Sequence, residues 1–186
     1  QLAAPDGTVP AALQPSLTEL LAEIAALEQR CTHIERQLRS LTQHDAVVQQ
    51  LLGIPGVGPL TATAMRAALV DVHRFPSGRH LASWLGLTVR EHSSGERRRL
   101  GRISKQGDPY LRTLLIHGAR AVLNAAQTAR RRGQSPDRLR SWALSTHERC
   151  GHNKAAVALA NKLARIIWAT WKHERTFNAN WVPTTA

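Results

Sequence analysis

A chain of 186 residues with 42% hydrophobic content can bury the core of one ordinary domain and still carry an extension. A formal charge of +12 and a pI of about 11.4 make a polyanion the expected partner, and the charge is uneven: residues 1–52 hold three basic and six acidic side chains, residues 53–186 twenty-two and seven. No apolar run reaches 18 residues and no signal peptide is visible, which argues against a membrane role. Cys31 and Cys150 form no CxxC, which argues against a disulfide framework and leaves a reducing, cytoplasmic setting as the expectation.

Residues 1–14 start on Gln1 and are rich in Pro and Ala without periodicity, so they read as a linker or a truncated domain edge of a longer protein. From Leu17 the apolar positions step by three and four through Leu20, Ile24, Leu27, Cys31, Ile34, Leu38 and Leu41; Asp45 interrupts the series and Val48 resumes it. Charged residues such as Glu23, Glu28, Arg30 and Glu35 lie outside this seam, so the spacing predicts a coiled-coil oligomerisation helix over 15–50. The alternative is a narrow stripe packed on the chain's own body. Cys31 on that seam reads as a small core residue rather than a redox switch.

Residues 51–175 form the main domain and 176–186 a tail. Within 47–70, an apolar helix end, the turn Ile54-Pro55-Gly56-Val57-Gly58 and a second helix opening at Pro59 predict a helix-hairpin-helix. Gly56 and Gly58 would leave backbone N–H groups free for phosphate oxygens, which position a duplex without reading its sequence. The same turn could equally be a tight corner with no ligand. Ser77 is the expected N-cap of a short helix with His80, Leu81, Trp84 and Leu85 on one face and Trp84 in the core. That helix ends at Gly86, and residues 87–90 are the one strand entertained.

Asp108 and Pro109 open a long helix to about residue 131, with Leu111, Leu114, Leu115, Ala119, Val122, Leu123 and Ala126 at helical spacing and Arg112 and Arg120 off that stripe, flanking the central loop. Ser135-Pro136 starts a helix to about 149. A last helix, about 153 to 172, buries Val157, Ala160, Leu163, Ala164, Ile167, Trp168 and Trp171. Arg130, Arg131 and Arg132 with Arg138 and Arg140 form a basic cluster, usually a solvated face but beside a nucleic-acid-binding core a candidate contact to a nucleic-acid backbone. The fold class expected is all-α: an N-terminal coiled-coil helix, then a helical domain with a helix-hairpin-helix and a basic Gly/Ser loop.

That loop occupies residues 90–112, where seven side chains are Arg or Lys and three are acidic. Glycines at 95, 101 and 107 let the backbone turn so that cations converge instead of lying along a helix. Read alone, it is as well explained by a solvated basic loop whose serines satisfy turns. Like charge and scarce apolar anchors make it an expected mobile segment without a ligand.

Five stretches read together carry a resemblance: 52–63 (Leu52-Gly53-Ile54-Pro55-Gly56-Val57-Gly58 and on to Thr63), 75–87, Ser93-Ser94-Gly95, Leu100-Gly101-Arg102-Ile103-Ser104-Lys105-Gln106-Gly107, and Tyr110-Leu111-Arg112. In order, and over about residues 47 to 172, they resemble the C-terminal domain of the DEDD-type serine transposases of bacterial insertion sequences, which are guided by a bridge RNA. The resemblance implies a DNA transposase or recombinase fragment whose partners are DNA, the bridge RNA and further copies of itself, as dimer or tetramer through the coiled coil. It implies a nucleophilic serine immediately before a glycine, here Ser94, with Ser93 and Ser104 as rivals. The metal-binding half of the composite site, with its Mg2+, would lie in a RuvC-like nuclease domain outside this chain, leaving the fragment able to bind but scarcely to cut.

A serine hydroxyl is a weak nucleophile at neutral pH and needs a proton acceptor or a strong field, with cations to take up charge at phosphorus. Arg97, Arg98, Arg99, Arg102, Lys105 and Arg112 are the candidates, since guanidinium geometry suits bidentate phosphate contacts. The thirteen Asp and Glu residues are scattered and offer no metal quartet, and His147, Cys150 and His152 at a helix end make a poor ligand set. The rival readings are a non-catalytic helix-hairpin-helix nucleic-acid-binding module that oligomerises through its coiled coil, and a structural interaction domain whose basic face aids solubility.

Overall fold

The computed structural model describes residues 9–94, 97 and 99–180. It is all-α in class, with seven α-helices and two short strands among those residues: α1 (Gln14–Thr42), α2 (Ala46–Leu52), α3 (Pro59–Ala68), α4 (Gly78–Trp84), β1 (Val89–Glu91), β2 (Leu100–Ile103), α5 (Pro109–Arg131), α6 (Arg138–Cys150) and α7 (His152–Lys172). The chain divides into two units, Gln1–Leu41 and Thr42–Ala186.

The first unit is in essence one helix. None of the α1 side chains is buried, and the seam residues Leu20, Ile24, Leu27 and Ile34 stand about half exposed at 54%, 52%, 49% and 52%. The helix stops at Thr42 and does not continue to 50. Asp45, which reads in the sequence as a fault in the seam, is the N-cap of a new helix: its carboxylate accepts from Val47 N at 3.0 Å and Val48 N at 3.1 Å and pairs with Arg66 at 3.1 Å. Val48, read as a resumed seam position, is therefore buried in the second unit.

The second unit is organised around α7. Alanines at 155, 156, 160 and 164 keep its surface slim, so that α2, α4, α5 and α6 all pack on it, while Leu159, Leu163, Ile167 and Trp171 fill the space between. The stripe predicted for α5 packs here through Leu111, Leu115, Ala119, Val122, Leu123 and Ala126. Two aromatic assignments differ from expectation. Trp168 is only half-buried, with its Nε1 donating to Phe75 O at 2.9 Å, and Trp84 is 36% exposed with its ring edge-on to Phe75 at 5.6 Å. α4 has only seven residues, and Leu81, Ala82 and Leu85 already fill its inward face.

Caps explain the remaining boundary shifts. α6 begins at Arg138 and not at Ser135-Pro136, because Asp137 accepts from Arg140 N at 2.8 Å and takes the N-cap position. Ser77 does occupy the N-cap of α4, yet its Oγ bonds His80 Nδ1 at 2.8 Å and leaves the backbone donors to others. Asp108 caps α5 as its position suggests, accepting from Tyr110 N and Leu111 N at 2.7 and 3.1 Å.

Candidate nucleic-acid interface

The basic Gly/Ser segment is an antiparallel hairpin. β1 and β2 pair with Val89 opposite Ile103 and Glu91 opposite Leu100, with an irregularity between the two pairs. Backbone bonds extend the ladder at both ends, from Ser104 N to Thr88 O at 2.8 Å at the base and from His92 N to Arg99 O at 2.8 Å above. At the tip, Ser94 and Arg97 exchange N–H···O bonds of 3.3 and 3.2 Å. The second strand escaped the sequence reading because the strands are exposed on both faces: Val89 and Leu100 remain 48% and 49% exposed, so no buried alternation marks them.

The base of the hairpin is fixed to the end of α4. Lys105 N donates to Gly86 O at 3.1 Å, and the Arg112 guanidinium reaches from α5 to Leu85 O at 3.1 Å. At Gly107 the chain passes so close that a Cβ there would lie 1.9 Å from Trp84 O, with φ at +110°. The flexible-looking arm therefore has a rigid root. Arg112, placed among the phosphate-binding candidates, spends at least one of its nitrogens on that root.

The two neighbouring serines are treated differently. Ser93 Oγ donates to Glu91 Oε1 at 2.7 Å and accepts from Arg99 N at 3.0 Å, which ties it into the hairpin. Ser94 Oγ has no hydrogen-bond partner among the described residues, and the side chain is exposed at the tip beside Arg97. Ser104 sits at the base, half-buried, with its carbonyl accepting from Arg90 at 3.1 Å. Arg97, Arg99, Arg102 and Lys105 are exposed along the hairpin, so four of the predicted cations share this one projection. Arg98, with Gly95 and Glu96, lies outside the described residues.

The predicted turn glycines part company. Gly56, at φ +83°, presses on α5: a Cβ would lie 2.7 Å from Gly118 O, and one on Gly118 would lie 1.9 Å from Gly56 O. Gly58 has nothing within 4 Å of such a Cβ and stands exposed at the N-cap of α3. The turn thus serves packing at Gly56, whereas Gly58 is exposed and unconfined.

Elsewhere, pairing reduces the second basic cluster. Arg130 is bonded to Glu148, and Arg140 to Asp137 at 2.7 Å, which leaves Arg131, Arg132 and Arg138 exposed. Arg120, expected beside the loop, reaches instead to Asn153 Oδ1 at 3.3 Å at the start of α7. Cys150 Sγ turns back to Thr146 O at 3.0 Å, and among the described residues no three His, Cys, Asp or Glu side chains converge as a metal-ligand set.

The geometry defines a basic helical domain that fixes a cation-lined hairpin by its root and carries the exposed Ser94 beside Arg97 near its end. Residues 48–134 match the family described as "Transposase IS116/IS110/IS902 family". The chain is 44% identical over 169 residues to a "Probable family 20 transposase" of Pseudomonas aeruginosa, covering 91% of this chain and 48% of that protein. It is 40% identical over 158 residues to the "Transposase for insertion sequence element IS1111A" of Coxiella burnetii, covering 85% and 42%. The chain thus spans about half the length of the curated relatives it matches. No described helix is long and apolar enough to cross a membrane.

Proposed function

We propose that this chain is the coiled-coil and catalytic-serine part of a bridge-RNA-guided DNA transposase, with Ser94 as the nucleophile. The observation that carries the reading is the contrast between the adjacent serines: Ser93 is bonded on both sides, whereas the Ser94 hydroxyl has no partner among the described residues and stands exposed on a cationic projection. Ser94 Oγ forms a bond to the scissile phosphorus, the bond from phosphorus to the departing strand end breaks, and the serine proton passes to the departing oxygen. The phosphoserine ester keeps the bond energy for rejoining to a new strand, which suits strand exchange rather than hydrolysis.

Arg97, Arg99 and Arg102, with Arg98 and Lys105, hold the phosphate oxygens and stabilise the charge that grows on them. Arg112 positions this group by anchoring the hairpin root, and the exposed N-cap of α3 at Gly58 receives a duplex phosphate. Mg2+ would be held by a RuvC-like nuclease domain outside this chain. The exposed seam of α1 joins copies into a dimer or tetramer.

The test is strand exchange by the complete transposase carrying Ser94→Ala, with DNA and RNA binding measured alongside. Exchange should disappear while both affinities stay within a factor of about two. Retained exchange, or binding lost in step with it, would favour the non-catalytic nucleic-acid-binding module.

A further inference from the structure

A second basic surface lies on α6 and α7. Arg138 opens α6 and Trp142 follows one turn later, while Lys162 and Arg165 are one turn apart on α7. Lys162 brings these residues together, because its Nζ lies 4.4 Å from the centroid of the Trp142 ring. Gly78 seats the first turn of α4 beside them, since a Cβ there would lie 2.9 Å from Arg165 Cα, and Arg79 follows it, exposed. Arg138 and Arg165 are exposed too, whereas Lys162 and Trp142 are half-buried.

No described carboxylate answers these cations. The ion pairs of the described residues join Arg66 to Asp45, Arg130 to Glu148 and Arg140 to Asp137. Asp137, the acid next to Arg138, is taken up by Arg140 and by the cap of α6. Arg138 also stands in the first turn of a helix, where the dipole disfavours positive charge. Burial, then Arg165 and Arg138, hold the Lys162 ammonium below its ordinary 10.5. Arg138 in a helix first turn and the partly buried, cation-flanked Lys162 each raise the energy of the free chain, and a bound polyanion relieves both. Separate exposed cations on three helices, around an aromatic ring, suit an extended phosphate backbone better than a single compact anion.

We propose that the face formed by Arg138, Lys162 and Arg165 around Trp142 binds the phosphodiester backbone of a nucleic acid, independently of the Ser94 hairpin. The contacts are to phosphate and read no sequence. DNA and RNA present the same groups, and two probes tell them apart.

The variant is Arg138→Gln with Arg165→Gln, both at exposed positions, with Arg165→Gln alone as a second variant should the pair lose its helical signal. Binding of an end-labelled duplex DNA and of an end-labelled stem-loop RNA is followed by fluorescence anisotropy over a salt series. Each lost duplex phosphate contact lowers the slope of log K against log salt by about 0.9, and each lost single-stranded contact by about 0.7. The double variant should therefore flatten the slope for at least one probe by roughly 1.4 to 1.8. The probe that responds identifies the partner. Unchanged slopes and affinities for both probes, in a variant with an unchanged unfolding midpoint, would overturn the proposal. Arg97→Gln with Arg99→Gln and Arg102→Gln is measured in parallel: if it alone weakens binding, the hairpin reading survives and this one does not.

Discussion

Replacing Gly118 by alanine puts the seat of the α2–α3 turn under direct test. The new Cβ would lie 1.9 Å from Gly56 O, where real contacts of this kind essentially never fall below 3.0 Å, so the turn and α5 must part by at least about 1 Å. The obstructing atom is a backbone oxygen in a tight turn and cannot swing aside as the end of a long side chain would. Overpacking of this kind costs about 1 to 3 kcal/mol, and the upper end applies because Ile54, Val57 and Val122 are buried around the contact. Against it stands the gain of about 1 kcal/mol for alanine over glycine inside a helix. The expected net loss is about 2 kcal/mol, or a midpoint lower by roughly 4 to 8 °C in thermal unfolding followed by helical circular dichroism. Gly58→Ser is the matched control: its Cβ meets nothing within 4 Å and serine is a good N-cap residue, so stability should stay equal or rise by about 0.3 kcal/mol. A Gly118→Ala protein as stable as its parent would refute the backbone-to-backbone seating.

Three further outcomes can be read from the same structure. Because the Lys162 pKa is lowered in the folded chain, the unfolded chain binds more protons between that lowered value and 10.5, so stability should rise with pH across this window. In Lys162→Met, urea midpoints should lose that rise, and a persisting rise would assign it to another group. A two-stranded hairpin with both faces exposed is marginal alone, so the amides of His92 and Ser104 should exchange quickly in the free chain and slow when DNA is added. Strong protection without DNA would contradict the expected mobility. Ile24→Asp places a charge on the seam of α1 and should lower the mass seen in sedimentation equilibrium, whereas an unchanged mass would remove the oligomer role from that helix.

Much of the architecture was legible because local chemistry and tertiary packing agree. The Asp108-Pro109 start and apolar stripe of α5 are such a case: cap, fixed φ and periodicity all specify one helix. What escaped the sequence depended on partners distant along the chain. Asp45 looked like a defect in a seam until Arg66 and two amide groups gave its carboxylate work. The alanines of α7 carry little hydrophobic signal, yet they let four helices crowd one axis. At the candidate site, the Ser-Ser-Gly and Arg-rich pattern marked the segment but not its shape, since β2 exists only by pairing with β1. The different bonding of Ser93 and Ser94 was likewise invisible, because it depends on Arg99 N reaching the Ser93 hydroxyl across that pairing while Glu91 holds it from its own side. The Lys162–Trp142 contact carried a weaker trace, a pair of cations one turn apart, and its aromatic partner lies on another helix.

The central claim is that the oxygen of Ser94 joins this protein to a DNA strand. The most direct test incubates the complete transposase with substrate DNA, quenches with denaturant, digests, and maps the nucleotide-bearing peptide by mass spectrometry in parent, Ser93→Ala, Ser94→Ala and Ser104→Ala proteins. The expected result is a phosphonucleotide on Ser94 in the parent, an adduct that survives in Ser93→Ala and Ser104→Ala, and none in Ser94→Ala. An adduct formed by the Ser94→Ala protein, or mapped to another side chain in the parent, would contradict it.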